Sequence, residues 1–120
     1  MLAPFLEEVI DPKQGWISPH RMSNAMRMPL VELSQIIRMH RNTLTKRPDS
    51  PDVQSRLGQV ARIVVRASAM TGGNFSRAVI WFRFEPLSGF DHKTAEQLVT
   101  EGHIEAVETH LDMLEEGTYS

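Results

Sequence analysis

The chain has no cysteine among its 120 residues. That excludes disulfide staples, thiol nucleophiles and cysteine-based zinc sites. It fits a reducing compartment, and the expected location is cytoplasmic. Aromatic side chains are few: five Phe, two Trp and one Tyr. No apolar run approaches the roughly 20 residues of a membrane span, so no membrane partner is expected. The segment Met1 to Ile10 carries Pro4, Glu7 and Glu8 and no early Lys or Arg, which is not the pattern of a signal peptide. A Gly-x-Ser-x-Gly elbow, a phosphate-cradling glycine loop and a dinucleotide fingerprint are also missing. The histidines are His20, His40, His92, His103 and His110, and none has His-Glu-x-x-His spacing. His103 and His110 have Glu105 and Glu108 nearby, but this is not the spacing of a metal site. No catalytic residue, metal or cofactor is expected, and the chain reads as a non-enzyme.

What is present is an uneven charge. The net charge is −2. Residues 1–66 hold ten Lys and Arg against six Asp and Glu, which is +4, while residues 67–120 hold three against nine, which is −6. A basic half favours a polyanion and an acidic half does not. A chain of this length forms one domain or two very small ones and buries a core without staples.

Helix signals run through the whole length. Ser18-Pro19 is a cap followed by a first-turn proline and predicts a helix from His20 to Arg27. Pro29 stops it and opens the next, where Leu30, Leu33, Ile36 and Ile37 share one face. A third helix starts at His40 or Arg41 and ends before Pro48. Asp49-Ser50-Pro51 launches the longest helix, from Asp52 to Met70, with Val53, Leu57, Val60, Ala61 and Val64 inward. Gly58 inside it predicts a close helix–helix approach. Gly72-Gly73 is a break, and Asn74 caps a helix over 75–84, with Phe75, Val79, Ile80 and Phe82 to pack and Trp81 beside them. Thr94 with Gln97 reads as a capping box, and that helix stops at Gly102. The last helix spans His103 to Glu116 with Ile104, Val107, Leu111 and Leu114 on one face. Leu2, Phe5, Leu6, Val9 and Ile10 predict a packed extra helix at the start. No strand is expected.

The run from Glu32 to Leu44 has the layout of a helix-turn-helix, whose second helix enters the major groove by its N-terminal end. Leu33 and Ile37 pack inward, Met39 plugs the turn and Leu44 anchors the second helix. His40, Arg41, Asn42, Thr43, Lys46 and Arg47 remain outward as the DNA-binding set. Arg bonds guanine bidentately, Asn does the same to adenine, and the terminal Lys-Arg suits phosphates. A generic three-helix bundle is the alternative for this pattern.

Glu32-Leu33-Ser34, Met39, Arg41 and Thr43-Leu44 resemble the helix-turn-helix of Xre-type bacterial regulators. Arg38 stands where those proteins have a turn glycine, which predicts an altered turn, because a non-glycine residue reaches positive φ only at a cost. The Gln that usually opens their preceding helix is not evident. Further on come Ala78, Trp81-Phe82, Pro86-Leu87-Ser88-Gly89-Phe90, Lys93-Thr94-Ala95, Leu98-Val99 and Glu101-Gly102. Val107, Leu111 and the ending Glu116-Gly117-Thr118-Tyr119 follow. This order is similar to the toxin-binding domain of the Xre/MbcA/ParS antitoxin family. The resemblance implies a homodimeric antitoxin that covers the active site of a RES-domain, NAD-degrading toxin and represses its own operon through operator DNA. It places the toxin-facing surface on the Glu85–Lys93 loop, the last helix and the tail, with Pro86, Leu87, Gly89, Phe90, Lys93, Leu111, Glu115, Gly117, Tyr119 and Ser120 as contacts. An acidic C-terminal half suits a basic cleft that handles a pyrophosphate.

The expected fold is all-α: a helix-turn-helix bundle over residues 1–70, joined by its long helix to a small helical domain over 71–120. The alternative to an antitoxin is a stand-alone helix-turn-helix regulator that uses the C-terminal domain to dimerise or to bind another partner. A third reading is an interaction module whose helix-turn-helix is vestigial.

Overall fold

Caps and prolines set where the helices begin. The computed structural model describes residues 2–117, and among them every regular element is an α-helix. Helix α1 (Pro4–Val9) opens on its proline. Helix α2 (Pro19–Ala25) opens on Ser18, whose hydroxyl accepts the Arg21 amide at 3.2 Å. Helix α3 (Leu30–Ile36) follows Pro29, and α4 (Arg41–Lys46) follows His40. Helix α5 (Pro51–Met70) starts at Ser50, whose Oγ accepts the Val53 amide. Asn74 Oδ1 accepts from Ser76 and Arg77 and starts α6 (Phe75–Phe84). The expected Thr94–Gln97 capping box is formed in full at the head of α7 (Ala95–Thr100). Helix α8 (Ile104–Gly117) closes the series. Only two isolated bridges, Ile10 to Ile17 and Pro86 to Thr94, have extended pairing among the described residues. No described helix is long and apolar enough to cross a membrane.

The chain divides into two units, and the division falls inside α5, between Arg62 and Ile63, rather than at the helix end expected near residue 70. In the first unit α2 packs on α1 and α3, and α3 packs on α4. Its core holds Phe5, Val9, Met22, Met26, Leu33, Ile36, Ile37, Leu44, Val53 and Leu57. Phe5 and Val9 carry the packing of α1, whereas Leu2 is exposed and Leu6 and Ile10 are half-buried. Gln54 stitches the unit together. Its side chain accepts the Ile17 amide at 2.9 Å and donates to the carbonyls of Ile17 and Pro48 at 2.8 and 2.7 Å. The turn after α1 closes on Asp11, whose carboxylate accepts the amides of Lys13 and Gln14. Those two bonds hold the Asp11 carboxyl below its ordinary range.

In the second unit α7 packs on both α6 and α8. Ile63, Val64, Ala78, Val79, Phe82, Leu98, Val99, Val107 and Leu111 form its core. Arg66 on α5 reaches α8, donating to Glu115 at 3.0 Å and to Asp112. Hydrogen bonding first to Glu115 and then to Asp112 raises the Arg66 pKa, against the desolvation that lowers it.

Two sequence expectations change here. The spacing of Ile80 predicts packing, but it lies 49% exposed on α6, and Trp81 is only half-buried. The α6 core residues are Ala78, Val79 and Phe82. Gly58 does not mark a close approach either, because a Cβ built there meets nothing within 4 Å. A helix-interior glycine without a steric reason is a stability deficit of about 1 kcal/mol relative to alanine. Gly58→Ala is therefore expected to raise the unfolding free energy by about 1 kcal/mol. Urea denaturation checks this, and an unchanged or lower midpoint contradicts it.

Candidate functional site

The connection between α3 and α4 is a tight reversal in which two helix ends are satisfied within a few residues. At the end of α3 the Met39 amide donates to the Ser34 carbonyl at 3.0 Å, and the Arg38 amide donates to Gln35 at 3.1 Å. This is the Schellman pattern, and it requires a left-handed residue between the helices. Arg38 supplies it with φ of 60°. The turn is thus not altered by the missing glycine: Arg38 adopts the backbone glycine would have. The left-handed region costs an L-residue about 1–2 kcal/mol. A cation at a helix C-terminus recovers about 0.3–1 kcal/mol of that. The end of α2 is built the same way, with Arg27 at φ of 55° and the Met28 amide bonded to the Ser23 carbonyl.

Helix α4 starts on His40, whose Nδ1 accepts the Asn42 amide at 3.1 Å. Leu44 is fully buried and fixes which way the helix faces. At 100° per residue, Asn42 and Lys46 lie opposite Leu44, with Arg41 and Thr45 on one flank and Thr43 on the other. His40, Arg41, Asn42, Lys46 and Arg47 are exposed and Thr43 is half-buried. The expected outward set therefore lies together at and around α4, with two refinements. The His40 ring is engaged as the helix cap, and Arg47 is the residue just after the helix rather than part of it. Thr45 also belongs to this exposed face, and the sequence reading missed it. Its hydroxyl bonds back to the Asn42 carbonyl at 3.0 Å.

The second unit presents a folded loop between α6 and α7. The Leu87 amide donates to the Lys93 carbonyl at 2.8 Å, which pins the base of the loop. Inside that frame sit two successive turns. Gly89 at φ of 87° serves the first, and Asp91 and His92 at 53° and 65° serve the second. The Lys93 amide closes the second turn on the Phe90 carbonyl at 2.9 Å. Positive φ at both central residues is the type I′ geometry. Phe90 meets His110 of α8 edge-on, with ring centroids 6.1 Å apart. Pro86, Leu87, Ser88, Gly89, Asp91 and His92 line a shallow concavity on this loop.

The residues expected in the partner surface separate into three groups. Pro86, Gly89 and Gly117 are exposed, and Phe90 is half-buried at the loop's edge. Leu87 and Leu111 lie in the core, so they hold the loop and α8 from beneath and are not surface contacts. Lys93 and Glu115 are half-exposed and engaged in ion pairs. Lys93 bonds Glu101 at 2.8 Å, and Glu115 bonds Arg66. Tyr119 and Ser120 lie outside the described residues. Two apolar side chains that the sequence reading did not place on the surface are there: Ile80 and Phe84, 49% and 63% exposed and one helical turn apart on α6. The Arg83 guanidinium lies 5.1 Å from the Phe84 ring centroid. Arg83 also pairs with Glu96 at 3.1 Å in a largely buried bridge.

Charge follows the two units. Residues 1–62 carry nine Lys and Arg against six acids, and residues 63–120 carry four against nine. Among the described residues no three His, Asp or Glu side chains gather as a metal site would need. No protein-family model, no curated protein and no solved structure matches the chain.

Proposed function

We propose that the chain is the antitoxin of a type II toxin–antitoxin pair, which neutralises a RES-domain, NAD-degrading toxin by covering its active site and represses its own operon. The observation that carries this reading is the arrangement of α4. Arg41, Asn42 and Lys46 are exposed at the head and outer face of a short helix, behind a tight left-handed turn and over a buried Leu44. Such a helix offers bidentate donors to base edges and cations to phosphates. The acidic second unit is unsuited to DNA and suited to a basic protein cleft. Its loop from Pro86 to Lys93, stiffened by two turns, supplies a shaped contact there. Exposed Ile80 and Phe84 add apolar area of the kind that protein partners cover. A second copy of the chain covering that face would give the homodimer that operator binding calls for.

Co-expression with the product of the adjacent gene tests the antitoxin role. The full chain is expected to form a stable complex and to rescue growth. Truncation after Leu114 removes Glu115, and with it one of the two carboxylates that hold Arg66. That variant is expected to keep DNA binding and to neutralise less well. Absence of both complex and rescue transfers the weight to a stand-alone regulator, whose DNA binding is then the property to measure.

A further inference from the structure

We infer that Arg56 is the positioning residue of the α3–α4 turn and sets the angle at which α4 is presented. The inference rests on the DNA-binding reading of α4. Arg56 lies on α5, 19 residues after Ile37. Its Nη1 donates to the Ile37 carbonyl at 3.0 Å and to the Arg38 carbonyl at 3.1 Å. Its Nε faces Asp52 Oδ1 at 3.3 Å, one turn back on the same helix. The last carbonyls of a helix have no partner within the helix. Ile37 and Arg38 hold two carbonyls at the end of α3, and a single planar guanidinium takes both. Asp52 orients that guanidinium through its third N–H.

The consequence follows from chain geometry. His40 caps α4 and stands two residues after Arg38. Fixing the carbonyls of the two peptides that flank the Arg38 Cα fixes the departure of the chain into α4. Arg38 is also the residue whose left-handed backbone is intrinsically unfavourable. The clamp therefore acts where the turn has the most reason to relax. An ammonium lacks the fork that spans both carbonyls and Asp52 together, so lysine is not an equivalent residue here.

Four proteins test this: wild type, Arg56→Ala, Arg56→Lys and the double variant Arg38→Gly with Arg56→Ala. Each is titrated across a salt series with a duplex carrying the DNA upstream of its own coding sequence. Amide hydrogen exchange is followed at Arg38 and Met39. Arg56→Ala is expected to bind about tenfold more weakly, the scale of one lost base contact. Exchange at Met39 is expected to accelerate. Lysine is not expected to restore affinity. Glycine at position 38 is expected to restore most of it, because glycine holds the left-handed turn unaided. A different pattern overturns the inference: a salt slope lower by about one in Arg56→Ala, recovered by lysine, marks a plain phosphate contact. Unchanged Met39 exchange in Arg56→Ala also overturns it, whatever the DNA result. Wild type that binds no DNA, with Met39 exchange still faster in Arg56→Ala, overturns the DNA reading and leaves the clamp without that role.

Discussion

Arg41→Ala combined with Asn42→Ala is expected to abolish sequence-specific DNA binding and leave the fold intact. Both side chains are exposed, and neither side chain supports the cap, since His40 bonds the Asn42 backbone amide. Removing Arg41 also takes a cation away from a helix N-terminus, where it is unfavourable. The melting temperature is therefore expected to stay within a few degrees of wild type. A bidentate base contact is worth about 1–3 kcal/mol, so losing two lowers specific affinity about thirtyfold or more. Lys46 and Arg47 remain and keep a weak, salt-dependent attraction for any duplex. The check is fluorescence anisotropy with an operator duplex and a scrambled one, alongside circular dichroism melting. Equal losses on both duplexes mean that the pair contacts phosphates only. Affinity within a factor of about three of wild type removes α4 from the DNA interface.

Local signals made the helices legible. Ser18, Ser50, Asn74 and Thr94 each bind the backbone amides that a capping residue should. Periodicity placed Leu33, Leu44, Leu57 and Val107 inside, and all are buried. Less local features were not legible. Arg56 is an ordinary exposed-type residue in sequence, and only folding brings it to the carbonyls of Ile37 and Arg38. Ile80 and Phe84 have the right chemistry for a core, but α6 has one packed face and they lie off it. Leu111 belongs by its spacing to the apolar stripe of α8, and it is fully buried. The unit boundary lies within α5, where neither glycine nor proline marks it. Arg38 shows the opposite limit. Its residue type argued against the turn, yet bonds from two amides and from Arg56 hold the backbone where glycine would have gone.

Leu111→Ala is expected to destabilise the second unit severely, whereas Leu114→Ala, one turn further along α8, is expected to cost much less. Leu111 is 0% exposed and Leu114 is 42% exposed. Truncating a fully buried leucine removes its transfer free energy and leaves a cavity, which together cost about 2–5 kcal/mol. Total stability for a chain of this length is about 6–18 kcal/mol, so the loss is a large fraction of it. Leu114 is partly covered, so its truncation removes less apolar burial and leaves no enclosed cavity, which costs about 1 kcal/mol or less. The two substitutions therefore separate packing from contact. On the proposed antitoxin reading, Leu111→Ala is expected to weaken neutralisation by disturbing the packing beneath α8, and to show an earlier urea midpoint. Leu114→Ala, if α8 meets the toxin, weakens neutralisation with a far smaller shift of its midpoint. The same urea titration and growth assay read both variants. An unchanged midpoint for Leu111→Ala would remove Leu111 from the core. A midpoint shift for Leu114→Ala as large as that of Leu111→Ala would mean that Leu114 carries as much of the packing of α8 as Leu111 does.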